Sequence, residues 1–231
     1  MSVNEVICGD SLQIVSTLPH ARMIFADPPD NTGMEYADFD DNIDSEDYFK
    51  FLLNVLRTGV KHSDVFWLSY YYKYQPLVLA NAYWYVDHKW HPFIWRFTFG
   101  QHRSSDCGNG YRPLLRVNKP DITWNTDSIR IQSARQRYGD IRANPAGRVP
   151  DDVWEFARVT GNSTERRRWI SNQHPEKLIE RMVLMSTNPG DTVIDMFAGS
   201  GTVHRVCKRL GRNSYSVEIS EDYCNRIRED Q

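Results

Sequence analysis

Short apolar runs and amphipathic stretches alternate at both ends of the chain. The apolar runs predict buried strands at residues 6–9, 23–26, 65–69, 192–195 and 214–217. Apolar residues that recur every three or four positions predict helices at residues 12–18, 45–61, 175–186 and 203–210, and a last one from residue 220. Strands that alternate with helices in this way are typical of an α/β domain built on a mainly parallel sheet.

The middle of the chain lacks this regularity. Residues 70–95 are rich in tyrosine and tryptophan, and we expect most of these rings to pack in the core. From residue 100 to 150, glycine, proline, asparagine and arginine replace the periodic pattern and predict loops with short irregular elements. We interpret residues 100–150 as an insertion at the sheet edge, within a single domain that spans residues 1–231.

Four predicted strands end at or beside a carboxylate, and they lie at opposite ends of the chain. If residue 231 were joined to residue 1, the strands that lead to Asp195, Glu218, Asp10 and Asp27 would form one continuous run of strand–helix units. Right-handed connections would then place the four carboxylates along one edge of one sheet. The sequence therefore predicts that distant termini build a shared site.

Composition narrows the class of protein. A hydrophobic share of 40% in 231 residues suits one sizeable globular domain. No run approaches the roughly 20 apolar residues that a membrane span requires, and the N-terminus lacks the pattern of a secretory signal. Because the four cysteines are isolated, we expect no metal site and no disulfide framework, and we expect a cytoplasmic protein.

The net charge of −2 hides an uneven distribution. Residues 96–148 carry ten basic side chains against four acidic ones, whereas the 95 residues before them are strongly acidic. Such a segment is either a footprint for a polyanion or a solvated loop region. If it binds DNA, its arginines suit phosphates and guanine edges. These candidates are Arg96, Arg103, Arg112, Arg116, Arg130, Arg135, Arg137, Arg142 and Arg148.

The segment after Asp195 has the pattern of a cofactor-binding turn. Gly199 and Gly201 allow the backbone to turn tightly at the start of a helix, where unpaired N–H groups favour an anion. The turn lacks the lysine of a phosphate-binding P-loop and the third glycine of a dinucleotide fingerprint. S-adenosylmethionine fits better, because its amine suits Asp195 and its ribose hydroxyls suit Glu218.

Two motifs together carry a resemblance that covers nearly the whole chain. Asp-Pro-Pro-Asp at residues 27–30 and Asp-Met-Phe-Ala-Gly-Ser-Gly-Thr at residues 195–202 resemble those of the β-class amino-methyltransferases of DNA. The resemblance implies a Rossmann-like class I methyltransferase fold with circularly permuted motif order. It also implies S-adenosylmethionine as cofactor, double-stranded DNA as partner, and a bacterial or phage restriction–modification setting. Whether the protein forms a homodimer is left open by the resemblance.

The resemblance also implies roles for individual residues. The exocyclic amine of a flipped base, adenine N6 in preference to cytosine N4 or a modified base, would donate to Asp27 and the Pro28 carbonyl. The catalytic set is Asp27, Pro28, Pro29 and Asp30. The cofactor set is Asp10, Ser11, Asp195, Phe197, Gly199, Ser200, Gly201, Thr202 and Glu218, with His174 and Lys177 from the segment 172–178.

One position departs from the family pattern. The family has an aromatic residue, usually tyrosine, where this chain has Asp30, and a carboxylate cannot stack on a base. Three readings stay open: stacking by a neighbour, an unusual base or other amine as substrate, or an inactive relative that binds cofactor and DNA. The stacking candidates are Tyr36, Trp67 and Tyr70. The sequence Asn-Thr-Gly at residues 31–33 continues the family pattern and favours function.

Overall fold

A computed structural model describes residues 3–34, 39–97 and 104–230, and within them eight strands form one mixed sheet. The strands are β1 (Asn4–Cys8), β2 (Ala21–Ala26), β3 (Ser63–Ser69), β4 (Lys89–Arg96), β5 (Tyr111–Asn118), β6 (Val153–Glu155), β7 (Thr192–Asp195) and β8 (Asn213–Glu218). Their order across the sheet is β1-β8-β7-β2-β3-β5-β4-β6. The two ends of the chain therefore lie side by side.

The first five strands in this order run parallel to one another. Strand β5 is antiparallel to both β3 and β4, and β6 is parallel to β4. Because β1, β8, β7 and β2 point the same way, their carboxyl ends share one edge of the sheet. The predicted Rossmann-like, mainly parallel sheet in permuted order is confirmed.

Helices cover both faces of the sheet. They are α1 (Ser11–Ile14), α2 (Ser45–His62), α3 (Gln75–Ala82), α4 (Ala134–Arg137), α5 (Glu176–Ser186), α6 (Thr202–Leu210) and α7 (Glu221–Glu229). On one face, α2 and α3 pack apolar residues such as Leu56 and Val78 against the core of the sheet. On the other face, α5 and α6 do the same with Met182 and Val206. None of the helices in the described residues is long and apolar enough to cross a membrane.

Local signals explain where the helices begin and end. The Asp44 side chain accepts a hydrogen bond from the Glu46 backbone N–H and caps α2, whose last turn carries Lys61 and His62. Helix α6 lies between Gly201 and Gly211, which both adopt left-handed backbone conformations. The predicted boundaries of these helices agree with the structure to within a residue or two.

The predicted insertion is wrong in one respect. Residues 111–118 form β5, which lies inside the sheet between β3 and β4 rather than at its edge. Leu114, Leu115 and Val117 bury their side chains on the two faces of this strand. Arg112 and Arg116 interrupt the apolar pattern in the sequence, and this interruption led to the prediction of a loop.

The aromatic segment is also less buried than predicted. Tyr70, Tyr74 and Trp95 lie in the core. Tyr83 and Trp84, at the end of α3, are 68% and 76% exposed. These two rings follow the last helical turn that contacts the sheet, so they have no layer to pack against.

Candidate functional site

A row of acidic residues marks one edge of the sheet. Glu218 and Asp195 are the last residues of β8 and β7, and Asp27 directly follows β2. Asp10 follows β1 and caps α1, where its Oδ1 accepts from the Leu12 N–H at 2.9 Å. Since these strands are neighbours, the edge brings together residues from both ends of the chain.

Three cavities open along this edge. The wide cavity of about 570 Å³ lies on the Asp30 and Arg112 side, and the side cavity of about 310 Å³ lies on the Asp10 and Glu218 side. The small cavity of about 40 Å³ lies beside Asp195. Asp27 and Asn172 line all three cavities. A group bound in the side or small cavity would therefore meet a group bound in the wide cavity at Asp27.

The glycine turn after β7 approaches its neighbours closely. Gly199 and Gly201 have φ angles of 49° and 74°, which side chains other than glycine rarely adopt. A Cβ atom at Gly201 would lie 2.9 Å from Cγ2 of Ile227 on α7. Glu218 fixes the turn from the next strand, because its Oε2 accepts from the Gly199 N–H at 2.8 Å.

Asp195 is buried at the floor of the small cavity. Burial raises its pKa to about 8, against the opposing hydrogen bond from the Phe197 N–H, and the charges of Glu218 and Asp27 raise it further. In the described part of the chain no cationic side chain pairs with this carboxyl group. A cationic ligand would supply the missing partner.

Asp27 has the opposite environment. Arg112 reaches from β5 across β3 and donates from Nη2 to Asp27 Oδ1 at 2.7 Å. The same guanidinium forks onto Asp30, with contacts of 2.7 Å and 2.8 Å to its two oxygens. Its Nε donates to Ser69 Oγ at 2.6 Å. One arginine thus joins the first and last residues of the Asp-Pro-Pro-Asp motif.

His174 closes this network on the other side. Its Nδ1 lies 3.4 Å from Asp27 Oδ2, and its Nε2 lies 3.2 Å from Ser69 Oγ. Burial would raise the pKa of Asp27, but the pKa lies below its ordinary value, and the Arg112 charge is the largest influence that lowers it. Burial lowers the pKa of His174, although the Asp27 charge opposes this shift, so His174 is neutral at physiological pH.

Hydrogen bonds that involve Tyr48 and Asp41 fix the loop after Asp27. The Tyr48 hydroxyl on α2 donates to the Pro29 carbonyl at 2.7 Å. The buried Asp41 carboxylate accepts from the backbone N–H groups of Asn31 and Thr32 at 2.6 Å and 3.1 Å. Among the described residues no hydrogen bond reaches the Pro28 carbonyl, which remains a free acceptor beside Asp27.

Most predicted cofactor residues line the cavities. Asp10, Ser11, Phe197, Gly199 and Glu218 line the side cavity. His174, Asp195, Ser200 and Thr202 line the small one. Gly201 and Lys177 line none of the three: Gly201 packs on Ile227, and Lys177 is exposed on the first turn of α5. Their predicted cofactor contacts stay predictions.

The stacking candidates differ in where they lie. Trp67 is fully buried, packs at tilted angles against Phe93 and Trp154, and donates its indole N–H to the Ser186 hydroxyl, so it presents no face to a ligand. Tyr70 lies in the wall of the wide cavity, and its buried hydroxyl has no partner among the described residues. Tyr36 lies outside the described residues.

Two predicted DNA-binding arginines have other partners, because both lie on β5. Arg112 pairs with the acidic motif, and Arg116 lies over the Trp124 ring at 4.1 Å, where burial lowers its pKa to about 10. Arg96, Arg130, Arg142 and Arg148 form ion pairs at the surface, Arg135 and Arg137 lie on α4, and Arg103 lies outside the described residues.

Arg158 and Ser69 were not predicted as site residues, and Arg158 lines the wide cavity. Asn172, from the segment 172–178 that the resemblance assigns to the cofactor, borders all three cavities. Ser69, at the end of β3, joins Arg112 to His174. Ser69 is the one residue that a local signal could have revealed, because it ends a predicted strand parallel to β2, as Asp27 does.

Known proteins resemble this chain in sequence and in fold. Residues 21–229 match a family model described as DNA methylase. Type II methyltransferase M.HpaI from Haemophilus parainfluenzae is 30% identical over 97% of this chain and 73% of its own length. DNA adenine methyltransferase YhdJ from Escherichia coli K12 is 28% identical over 94% of this chain and 79% of its own length.

Two solved structures show the same fold. A PvuII DNA methyltransferase described as cytosine-N4-specific superposes with a TM-score of 0.71, covers 99% of this chain and 86% of its own, and is 17% identical. A putative DNA modification methylase from Thermus thermophilus, complexed with S-adenosyl-L-methionine, has a TM-score of 0.63 over 99% of this chain and 93% of its own, at 19% identity.

Proposed function

This chain belongs to the DNA methylase family of N6 and N4 amino-methyltransferases, and we propose that it methylates adenine N6 in double-stranded DNA. The methyl donor is S-adenosylmethionine. The observation that carries the proposal is the position of Asp27, which lies where the side and small cavities meet the wide one. That position suits a reaction between two bound molecules.

The residues around Asp195 fit this cofactor. Asp195 is a buried carboxyl group without a cationic partner in the described part of the chain, and the amine of the methionine moiety would provide one. Glu218 and Asp10 lie in the wall of the side cavity, where they suit the ribose hydroxyls and the adenine amine. When bound, the cofactor supplies an electrophilic methyl group on a positively charged sulfur.

The Asp27 side fits an aromatic amine. The lone pair of such an amine is delocalised into the ring, and hydrogen bonds from its two N–H groups to Asp27 and the Pro28 carbonyl would draw the nitrogen toward tetrahedral geometry. The lone pair of the amine would then take up the methyl group that the bound cofactor supplies, and the electron pair of the broken C–S bond would stay on sulfur. The proton that the nitrogen loses passes to Asp27 and from there to solvent. Positioning and electrostatics carry the catalysis.

The wide cavity suits a base that has left the duplex. Tyr70 borders this cavity but its side chain is buried in the core, so a stacking partner for the base stays a prediction, and Asp30 is engaged by Arg112. Arg158 and Arg166 line the same cavity and suit the phosphates that flank a flipped nucleotide. Adenine is favoured because the motif begins with Asp-Pro-Pro and because the adenine methyltransferase YhdJ matches most of this chain.

A second candidate function rests on Arg112. Because its guanidinium already donates to Asp27, the protein could bind cofactor and DNA without methyl transfer. The two candidates differ in one product. Transfer leaves a methylated base in DNA, whereas binding alone leaves the DNA unchanged.

Mass spectrometry of nucleosides from duplex DNA incubated with the protein and S-adenosylmethionine tests the proposal. We expect N6-methyldeoxyadenosine with the wild-type protein and none with Asp27→Asn. N4-methyldeoxycytidine would contradict the adenine assignment alone. Unmodified DNA together with measurable cofactor binding would support the second candidate and reject methyl transfer.

A further inference from the structure

Arg112 is shared between two carboxylates at the centre of the site. A guanidinium has five N–H donors, and four hydrogen bonds run from Arg112 to Asp27, Asp30 and Ser69. Two of these four go to Asp30, in the bidentate geometry that makes arginine–carboxylate pairs strong. The contact with Asp30 is therefore the tighter hold on Arg112, and Asp27 receives a single bond from it.

The charges of the site add up to a net negative value. Asp27 and Asp30 carry two negative charges and Arg112 one positive charge. His174 faces Asp27 as a neutral ring, because burial lowers its pKa. Tyr48 faces Asp30 as a neutral phenol, because burial and the Asp30 charge raise its pKa. Asp195, whose pKa is raised, lies beyond Asp27 at the small cavity.

A neutral residue in place of Asp30 would change this balance. Arg112 would then pair with Asp27 alone and cancel its charge. Methyl transfer to an amine creates positive charge on the nitrogen, and a neutralised Asp27 would stabilise that charge less well. Arg112 buried without Asp30 would also bind Asp27 more tightly and compete with the substrate amine for its oxygens.

We propose that Asp30 and Arg112 form a positioning unit in which Asp30 anchors Arg112, so that Arg112 orients Asp27 without cancelling the negative charge of the site. The unit stands where the family places a stacking aromatic, and it acts through Asp27 rather than by contact with the base. It reassigns Arg112 from DNA binding to the site, and it rests on the proposed function. The departure at position 30 and the arginine on β5 are then one feature.

Three variants test the unit: Asp30→Asn, Arg112→Gln and the double variant. We expect either single variant to lower kcat by about 10- to 100-fold with little change in KM for DNA. The double variant should lose less than the product of the two single losses, because the residues act together. Glu46→Gln with Lys50→Gln, an exposed ion pair on α2 with a 2.9 Å contact, is the matched control and should leave kcat unchanged.

The pH dependence separates this role from a merely structural one. In Asp30→Asn, Arg112 acts on Asp27 alone, so the acid limb of the kcat profile should move to lower pH. In Arg112→Gln, two unpaired carboxylates face each other, so the limb should move to higher pH. Shifts in the same direction, no shift, or a more active Arg112→Gln variant would overturn the proposal. The last outcome would show that Arg112 obstructs Asp27.

Titration of the Asp27 carboxyl carbon by NMR gives a readout that does not require activity. We expect its pKa to fall in Asp30→Asn and to rise in Arg112→Gln, in folded proteins that still bind S-adenosylmethionine. Absence of methyl transfer by the wild-type protein would contradict the proposed function. An Asp27 pKa that is the same in the wild type and in both variants would contradict the positioning unit. The two failures are therefore distinguishable.

Discussion

Asp195 and Asp27 lie at the ends of neighbouring parallel strands, yet their environments are opposite. Burial raises the pKa of Asp195 to about 8. At Asp27 burial acts in the same direction, but the pKa is lowered, chiefly by the Arg112 charge. The difference is a cation, which the described part of the protein supplies to Asp27 and leaves out at Asp195.

This contrast assigns the two halves of the site. A carboxyl group without a cation suits a ligand that brings one, such as the amine of S-adenosylmethionine. The Asp27 carboxylate, which is paired with Arg112, stays ionised beside a neutral substrate amine. The amine itself carries no positive charge that would stabilise the ionised form. Asp195 therefore suits the methyl donor, and Asp27 suits the amine that accepts the methyl group.

The largest expected effect is the loss of methyl transfer when Asp27, on the side of the site that binds the substrate amine, is replaced. Asp27→Ala should reduce methyl transfer by about a thousandfold or more, because it removes an acceptor for the substrate amine and leaves Arg112 uncompensated in part. Cofactor affinity should change little, since Asp195 and Glu218 remain. Parallel assays of methyl transfer and cofactor binding check this, with Asp47→Ala on the exposed face of α2 as the control. Retained activity would show that the amine is not activated at Asp27.

The donor side should show its effect in binding rather than in turnover. Asp195→Asn removes one partner of the proposed ion pair and should weaken cofactor binding by about 2 kcal/mol, roughly 30-fold. Between pH 6 and pH 8 the wild-type affinity should rise with pH, because Asp195 must lose a proton when the ammonium group binds. Calorimetry in buffers of different ionisation enthalpy should detect this released proton in the wild type and not in the variant.

A smaller effect concerns stability in the absence of cofactor, and its sign should differ between the two carboxylates. The raised pKa of Asp195 means that the folded protein holds a proton that the unfolded chain releases, so its contribution to stability falls as pH rises from about 4 to about 8. The lowered pKa of Asp27 contributes stability at neutral pH that is lost as pH falls.

At pH 8 we therefore expect Asp195→Asn to raise the free energy of unfolding and Asp27→Asn to lower it, each by about 1–3 kcal/mol. Urea denaturation of the two variants and the wild type at pH 5 and pH 8 measures both signs. Two variants with the same sign at pH 8 would contradict the contrast between the two carboxylates.

The half of the site that suits the methyl donor could be predicted from the sequence, because each of its signals lies in a short stretch of the chain. The strand ends at Asp195 and Glu218 and the turn at Gly199 and Gly201 each lie within a few residues of the pattern that reveals them. The placement of the four carboxylates along one edge followed from the order of strands and the handedness of their connections, whereas the pairing of β7 with β2 is a finding of the structure.

The half of the site around Asp27, which suits the substrate amine, could be predicted only in part. Arg112 lies 85 residues from Asp27, and only the antiparallel pairing of β5 with β3 brings it there. Its charge, in a segment rich in glycine and proline, indicated DNA binding instead. Position 30 remained ambiguous for the same reason, since the partner that explains a second carboxylate comes from a strand that the sequence pattern concealed.

A crystal structure of the protein with S-adenosylmethionine tests the contrast most directly. We expect the amine of the ligand against Asp195, its adenosine in the side cavity, and its methyl group directed at Asp27 and the Pro28 carbonyl, with Arg112 still bound to Asp30. A ligand whose amine leaves Asp195 without a partner, or whose methyl group points away from Asp27, would contradict it.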